Sequence, residues 1–128
     1  MNIKVKFFED RFVEAIGAGI YEIYVQTNGR DEKLLYVGES VFVLVRCATH
    51  LYEIAKGNGY LGFKKEMLEN SDITLIFKLL MLESDKNKRK AKEKEIVKIK
   101  QPMMQSGISD RVKSIEDMIG DMTNFLNE

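Results

Sequence analysis

The chain has 128 residues and carries 20 basic and 20 acidic side chains, so its formal net charge is zero. Hydrophobic residues make up 45% of it, which is typical of a globular protein, and no apolar run approaches the ~20 residues of a membrane span. Cys47 is the single cysteine, so an intrachain disulfide is excluded. We therefore expect one domain over residues 1–128, soluble and cytoplasmic, with no membrane partner.

The basic side chains are concentrated in residues 86–100, whereas residues 110–128 lean acidic. A net charge of zero is unusual for a protein that binds nucleic acid without regard to sequence. The basic segment predicts either a surface for phosphate groups or a solvated lysine-rich helix, and charge alone does not decide between them.

The first part of the chain predicts three β-strands. Residues 3–7 alternate apolar and polar side chains, which is typical of a short half-buried strand. Residues 19–26 and 33–38 are β-prone and flank the turn signal Asn28-Gly29, so they predict a β-hairpin.

The segment 41–51 carries two opposing signals. The run Val41-Phe42-Val43-Leu44-Val45 is β-branched and aromatic, which favours a strand. Ser40 is a candidate helix N-cap, and no turn signal interrupts the segment, which favours a buried helix.

The second half predicts a strand between two helices. Residues 60–69 form a short helical pattern, and the apolar run 73–80 predicts a buried strand of the central sheet. Residues 85–101 predict a charged helix that ends before Pro102, the only proline of the chain.

Residues 108–126 predict an amphipathic C-terminal helix, because apolar side chains recur there at alternating spacings of three and four. This apolar stripe either packs on the protein's own domain or forms a dimer seam.

Two short strings stand out in the predicted hairpin, Gly19-Ile20-Tyr21 and Tyr36-Val37-Gly38. Arg46 follows ten residues after the second tyrosine, and His50 follows four residues after Arg46, on the same face if the segment is helical. Each string alone is typical of strand packing and turn chemistry.

An acidic element lies further along the chain, where Glu93 stands nine residues before Pro102. Together and in this order, the two strings, the arginine, the histidine and this glutamate resemble the GIY-YIG nuclease family over residues 19–105. The spacing to the proline in that family selects Glu93 over Glu95.

The resemblance implies an α+β fold in which a small central antiparallel or mixed β-sheet is flanked by helices. It requires a helix over residues 41–51, and we therefore expect one there. The N-terminal strand and the C-terminal helix over residues 108–126 would be additions to the core of residues 19–105.

The resemblance also implies chemical roles. Tyr21 or Tyr36 would activate water, and the sequence does not tell which. Arg46 would face the scissile phosphate, whose oxygens suit its fork of donors; the alternative is an ion pair with a carboxylate such as Glu53. His50 would help position water or phosphate, or else be a structural polar residue.

Glu93 would hold a single divalent cation at the leaving oxygen. One carboxylate with water and phosphate ligands fits Mg²⁺ or Mn²⁺ better than Zn²⁺, because the chain lacks a Cys/His cluster. Glu95 lies two positions on and so points about 200° away on a helix, which means that only one of the two can face the site.

The expected function is that of a metal-dependent endonuclease that hydrolyses DNA, in the manner of small phage or mobile-element enzymes, with a homodimer or a partner protein supplying targeting. The alternative is a catalytically inactive DNA-binding or protein-interaction domain of the same fold. Two positions depart from the family pattern: Glu39 would repel phosphate unless paired, and Gln105 replaces a frequent asparagine. The residues expected to contact nucleic acid are Gly38, Ser40, Lys88, Arg89 and Lys92.

Overall fold

A computed structural model describes residues 3–106 and 112–128 of the chain. These residues form four strands, four α-helices and two 3₁₀ helices. The strands are β1 (Ile3–Phe7), β2 (Gly19–Thr27), β3 (Lys33–Ser40) and β4 (Ile73–Leu82). The α-helices are α1 (Val43–Ala55), α2 (Lys65–Asn70), α3 (Lys86–Lys100) and α4 (Ile115–Leu126), and the 3₁₀ helices are Glu14–Ile16 and Tyr60–Gly62.

The four described strands form one mixed sheet in the order β1-β4-β2-β3. The hairpin strands β2 and β3 pair antiparallel, β4 pairs antiparallel with β2, and β1 adds to β4 in parallel. The expected α+β class with a central mixed sheet, and the expected hairpin, are therefore confirmed. No helix in the described part of the chain is both long and apolar enough to cross a lipid bilayer.

The central strand β2 is covered on both sides. Tyr21, Ile23 and Val25 alternate onto one face, where α1 and α4 complete the larger hydrophobic cluster. Ile20 points to the opposite face and packs against Ile96 and Val97 of α3. The sheet thus separates α3 from the other helices.

A β-bulge in the hairpin changes which way Tyr36 points. The register shifts between Ile23, which pairs with Tyr36, and Tyr24, which pairs with Leu34. Leu35 and Tyr36 consequently both pack against the larger cluster, whereas strict alternation would send them to opposite faces. The bulge therefore places Tyr36 on the same face as Tyr21.

The segment that gave opposing signals is helical, as expected from the resemblance, but it is buried on one side only. Its buried residues are Val43, Cys47, His50 and Ile54, at the four-three-four spacing of one helix face. The prediction of Ser40 as the N-cap is wrong. Ser40 is the last residue of β3, and its hydroxyl accepts a hydrogen bond from the Phe42 amide (3.0 Å), so α1 begins only at Val43.

The helix predicted over residues 60–69 is interrupted. Leu61 adopts a left-handed backbone with a φ of 49°, which an α-helix cannot contain, so the segment divides into Tyr60–Gly62 and α2. The predicted helix before Pro102 is α3, capped by Asp85, whose carboxylate accepts from the Lys88 amide (2.9 Å).

The C-terminal helix begins later than predicted, at Ile115, with Ser114 as its N-cap. Val112 cannot join it, because Val112 forms a β-bridge with Gln105. Positions 107–111, which include part of the predicted helix, lie outside the described residues. The apolar side of α4 packs on the protein's own core through Met118, Met122 and Phe125.

Gln105 ties the chain after α3 to the edge strand β3. Its side-chain oxygen accepts from the Val37 amide (3.0 Å), and its side-chain nitrogen donates to the Val37 carbonyl (2.9 Å). Gln105 is buried, so both backbone groups of Val37 are satisfied in a place that water does not reach.

We predict that Gln105→Ala lowers the free energy of unfolding by about 2 to 4 kcal/mol, because it leaves two buried backbone groups without partners. Urea denaturation followed by circular dichroism measures this. Asn87→Ala, on the exposed side of α3, is the matched control and should change stability by no more than about 0.5 kcal/mol. Equal stability of the two variants would contradict the role assigned to Gln105.

Candidate active site

The candidate site begins where Tyr21 of β2 lies beside Gly38 of β3, its paired residue in the hairpin. A Cβ atom at Gly38 would overlap the hydroxyl of Tyr21 and crowd the ring of Tyr36. Only glycine therefore allows the Tyr21 hydroxyl to lie against the backbone of the edge strand.

His50 of α1 lies between two phenols. Its Nε2 atom is 2.7 Å from the Tyr21 hydroxyl, and its Nδ1 atom is 2.7 Å from the Tyr60 hydroxyl. The ring of Tyr36 packs alongside, with its centroid 5.2 Å from that of His50. Both nitrogens of a buried imidazole are thus occupied by hydroxyl groups that can each donate or accept.

Burial controls the protonation of this cluster. It lowers the pKa of His50 to about 3, and the nearby positive charge of Arg46 acts in the same direction. Burial likewise raises the pKa of Tyr21 far above its usual range, and the neighbouring Tyr36 adds to the effect. Near neutral pH, His50 is therefore a neutral imidazole and Tyr21 an intact phenol.

Arg46 is exposed and lies on α1 one helical turn before His50. Burial lowers the pKa of Arg46, but the electrostatic interactions with Tyr21, Tyr60 and Tyr36 outweigh burial, so the pKa is raised. Glu53, the suggested ion-pair partner, instead binds Lys56 (3.1 Å). The guanidinium is thus held near the phenols while facing solvent.

Glu93 comes from the other side of the sheet, on α3. It is 7% exposed, whereas Glu95 is exposed and lies 3.4 Å from Lys92 Nζ. Of the two glutamates, Glu93 is therefore the one whose side chain is buried against the fold. Burial is the main cause of the raised pKa of Tyr21, and the negative charge of Glu93 adds to it.

The predicted phosphate contact at Arg89 does not fit its position. Arg89 is buried, its Nε atom donates to Glu39 (2.8 Å), and its Nη1 atom donates to the carbonyls of Glu83 and Ser84. Arg89 is therefore not an accessible cation of the nucleic-acid surface. Glu39 is paired with Arg89 and also with Lys90, whose Nζ atom is 3.3 Å away. The carboxylate that would repel phosphate if it were unpaired is therefore neutralised.

The remaining predicted contact residues differ in access. Gly38 is buried beneath Tyr21, and Ser40 is half-buried with its hydroxyl engaged by the Phe42 amide. Lys88 is exposed and Lys92 is half-buried, so these two lysines remain the accessible cations of the predicted set.

Tyr60 is the member of the cluster that sequence reasoning missed. It lies ten residues after His50, beyond the end of α1, and no periodicity links the two positions. Only the return of the chain through Tyr60–Gly62 brings its hydroxyl to the imidazole.

No protein-family model, curated protein or solved structure matches this chain. The resemblance to GIY-YIG nucleases accordingly rests on the motif residues. Within residues 3–106 and 112–128, no three His, Cys, Asp or Glu side chains are grouped so as to hold a metal ion. A divalent cation at Glu93 would therefore depend on water and phosphate for most of its ligands, which Mg²⁺ accepts.

We predict that the protein loses stability as the pH falls below 6.5. The unfolded chain protonates His50 near pH 6.5, but the folded chain does so only near pH 3, so acid favours the unfolded state. The slope should reach about 1.4 kcal/mol per pH unit at most. Urea denaturation between pH 7 and pH 5 measures it.

His50→Gln removes the only histidine of the chain and is the control for that measurement. Its stability should be lower at pH 7 but much less dependent on pH between 7 and 5. An equally steep dependence in both proteins would contradict the burial of a neutral His50.

Proposed function

We propose that this protein is a metal-dependent endonuclease of the GIY-YIG type that hydrolyses phosphodiester bonds of DNA. The observation that carries the proposal is the convergence of Tyr21, Tyr36, Arg46 and His50, which are spread over 30 residues of sequence, at one end of the hairpin beside Gly38. A hydrophobic core alone would not require this set of polar groups.

Phosphodiester hydrolysis needs positive charge on the phosphoryl oxygens, a water that loses its proton, and stabilisation of the leaving oxygen. Arg46 suits the first task, because it is exposed and its guanidinium can donate two parallel hydrogen bonds to a phosphate. The phenols of Tyr21 and Tyr36 lie next to it, and because Tyr21 is protonated near neutral pH, it can take the proton of water only while it gives up its own.

The third task would fall to a cation held by Glu93. Bound Mg²⁺ or Mn²⁺ supplies Lewis-acid stabilisation of a leaving oxygen. Glu93 suits such a cation because its carboxylate belongs to the buried side of α3 and acts electrostatically on Tyr21. Lys88 and Lys92 on the same helix would add contacts to the flanking phosphates.

We predict that Glu93→Gln reduces the rate of plasmid nicking in Mg²⁺ or Mn²⁺ by at least about 100-fold, because it removes the charge that holds the cation. Arg46→Ala should reduce it by a similar factor, since it removes the phosphate clamp. Supercoiled plasmid, end-labelled duplex and single strands are the substrates, and gel electrophoresis measures the rates.

Glu95→Gln is the matched control, because it makes the same chemical change two residues away on the exposed side of α3. It should retain activity close to that of the natural protein. Absence of cleavage by the natural protein, with salt-sensitive DNA binding that survives Glu93→Gln, would replace the proposal by a non-catalytic DNA-binding domain.

A separate prediction concerns DNA affinity. Replacing both Lys88 and Lys92 by alanine should weaken binding to duplexes of any sequence and reduce the slope of log affinity against log salt by about 1 for each phosphate that the protein no longer neutralises. Fluorescence anisotropy across a salt series measures the slope. Lys4→Ala, on β1 at the far edge of the sheet, should leave the slope unchanged.

A further inference from the structure

His50 joins Tyr21 to Tyr60 through two short hydrogen bonds. The Tyr21 hydroxyl lies 2.7 Å from His50 Nε2, and the Tyr60 hydroxyl lies 2.7 Å from His50 Nδ1. For a proton to move from Tyr21 towards Tyr60, the Tyr21 hydroxyl must donate to Nε2, and the neutral imidazole must carry its own proton on Nδ1 and donate it to the Tyr60 oxygen.

Tyr60 ends this chain of hydrogen bonds at the surface. Unlike Tyr21, which is 1% exposed, Tyr60 is half-buried, so its hydroxyl proton can pass to solvent. The phenol at the buried end therefore has a continuous path of two short hydrogen bonds to a group in contact with water.

The turn that carries Tyr60 is fixed by the C-terminal helix. A Cβ atom at Gly62 would overlap the carbonyl oxygen of Met118, so the backbones of the turn and α4 are in direct contact. Arg30, in the hairpin loop, donates to the carbonyls of Phe125 and Glu128 at the end of α4. Helix α4 thus holds Tyr60 against His50, although neither α4 nor Tyr60 is among the motif residues.

Resting on the proposed nuclease function, we propose that Tyr21, His50 and Tyr60 form a one-way proton relay, in which Tyr60 is a positioning residue that orients His50 and discharges the proton of the attacking water to solvent.

The relay step balances without a charged intermediate on the protein. The O–H bond of water breaks and its proton joins Tyr21, while the original Tyr21 proton moves to His50 Nε2. The proton on Nδ1 moves to Tyr60, and the original Tyr60 proton leaves to solvent. Water becomes hydroxide at the phosphate, both phenols remain neutral, and His50 ends in its other tautomer. Tyr21 keeps its own proton near neutral pH and the imidazole of His50 takes up no second one, so each of the two can accept a proton only while it gives one up.

The charged and titratable groups around the relay come from every neighbouring element. They are Tyr36 of β3, Arg46, Cys47 and Glu53 of α1, and Glu93 of α3. Since the imidazole stays neutral, the relay itself should add no titration of His50 to the pH–rate profile near pH 6.5.

The test compares Tyr60→Phe with Tyr52→Phe, which removes a phenol hydroxyl from the exposed side of α1. The first readout is ¹⁵N nuclear magnetic resonance of the imidazole, and assignment is direct because His50 is the only histidine. The natural protein and Tyr52→Phe should show the Nδ1–H tautomer from pH 8 to pH 5. In Tyr60→Phe the Nε2–H tautomer should appear. An Nε2–H tautomer in the natural protein would overturn the direction of the relay.

The second readout is single-turnover DNA cleavage in H₂O and D₂O with Mn²⁺. Tyr60→Phe should lower the rate constant by about 10- to 100-fold and change the solvent isotope effect, with DNA affinity unchanged, whereas Tyr52→Phe should behave like the natural protein. Cleavage by the natural protein with full activity of Tyr60→Phe would overturn the relay alone. Absence of cleavage by the natural protein would overturn the proposed function and, with it, the role of the relay in hydrolysis.

Discussion

The burial of a neutral histidine between two phenols is the constraint on which the rest of the site depends. His50 contacts solvent with only 1% of its surface, so each nitrogen needs a partner from the protein, and Tyr21 and Tyr60 supply them from two different parts of the chain. This single side chain therefore links the hairpin, α1 and the turn before α2. Through that turn it also depends on α4, whose backbone lies directly against it. The C-terminal helix, an addition to the motif-bearing core, is consequently part of the support of the site.

The polar groups around Tyr21 and His50 lie against a sheet that is covered by hydrophobic side chains on both faces. Two backbone features make this arrangement sterically feasible: the bulge at Leu35, which turns Tyr36 towards Tyr21, and Gly38, which leaves room for the Tyr21 hydroxyl at the edge strand. Burial is the main cause of the raised pKa of Tyr21, and the charge of Glu93 adds to it although α3 packs on the opposite face of the sheet.

Although the net charge of the chain is zero, the charged side chains near Gly38 are distributed so that an anionic ligand is not repelled there. Glu39, the carboxylate next to Gly38, is neutralised by Arg89 and Lys90, while Arg46 stays exposed beside the phenols. A buried ion pair of this kind contributes little net stability, because desolvation offsets most of the attraction. Its effect is instead local: it fixes the start of α3 against the end of β3 and removes a negative charge from the approach to the site.

Local sequence by itself determined the elements whose signals act over a few residues. The β-prone runs and turn signal of the hairpin, the apolar run of β4 and the proline after α3 all describe the backbone correctly, because turns and helix ends depend on near neighbours. Tertiary structure decided the rest. Packing of one face made α1 a helix against its β-propensity, and the bridge of Val112 with Gln105 moved the start of α4 to Ile115. Tertiary structure also buried Arg89 and brought Tyr60 to His50. Burial and side-chain pairing depend on which distant segments contact each other, and the periodicity of the sequence does not predict those contacts.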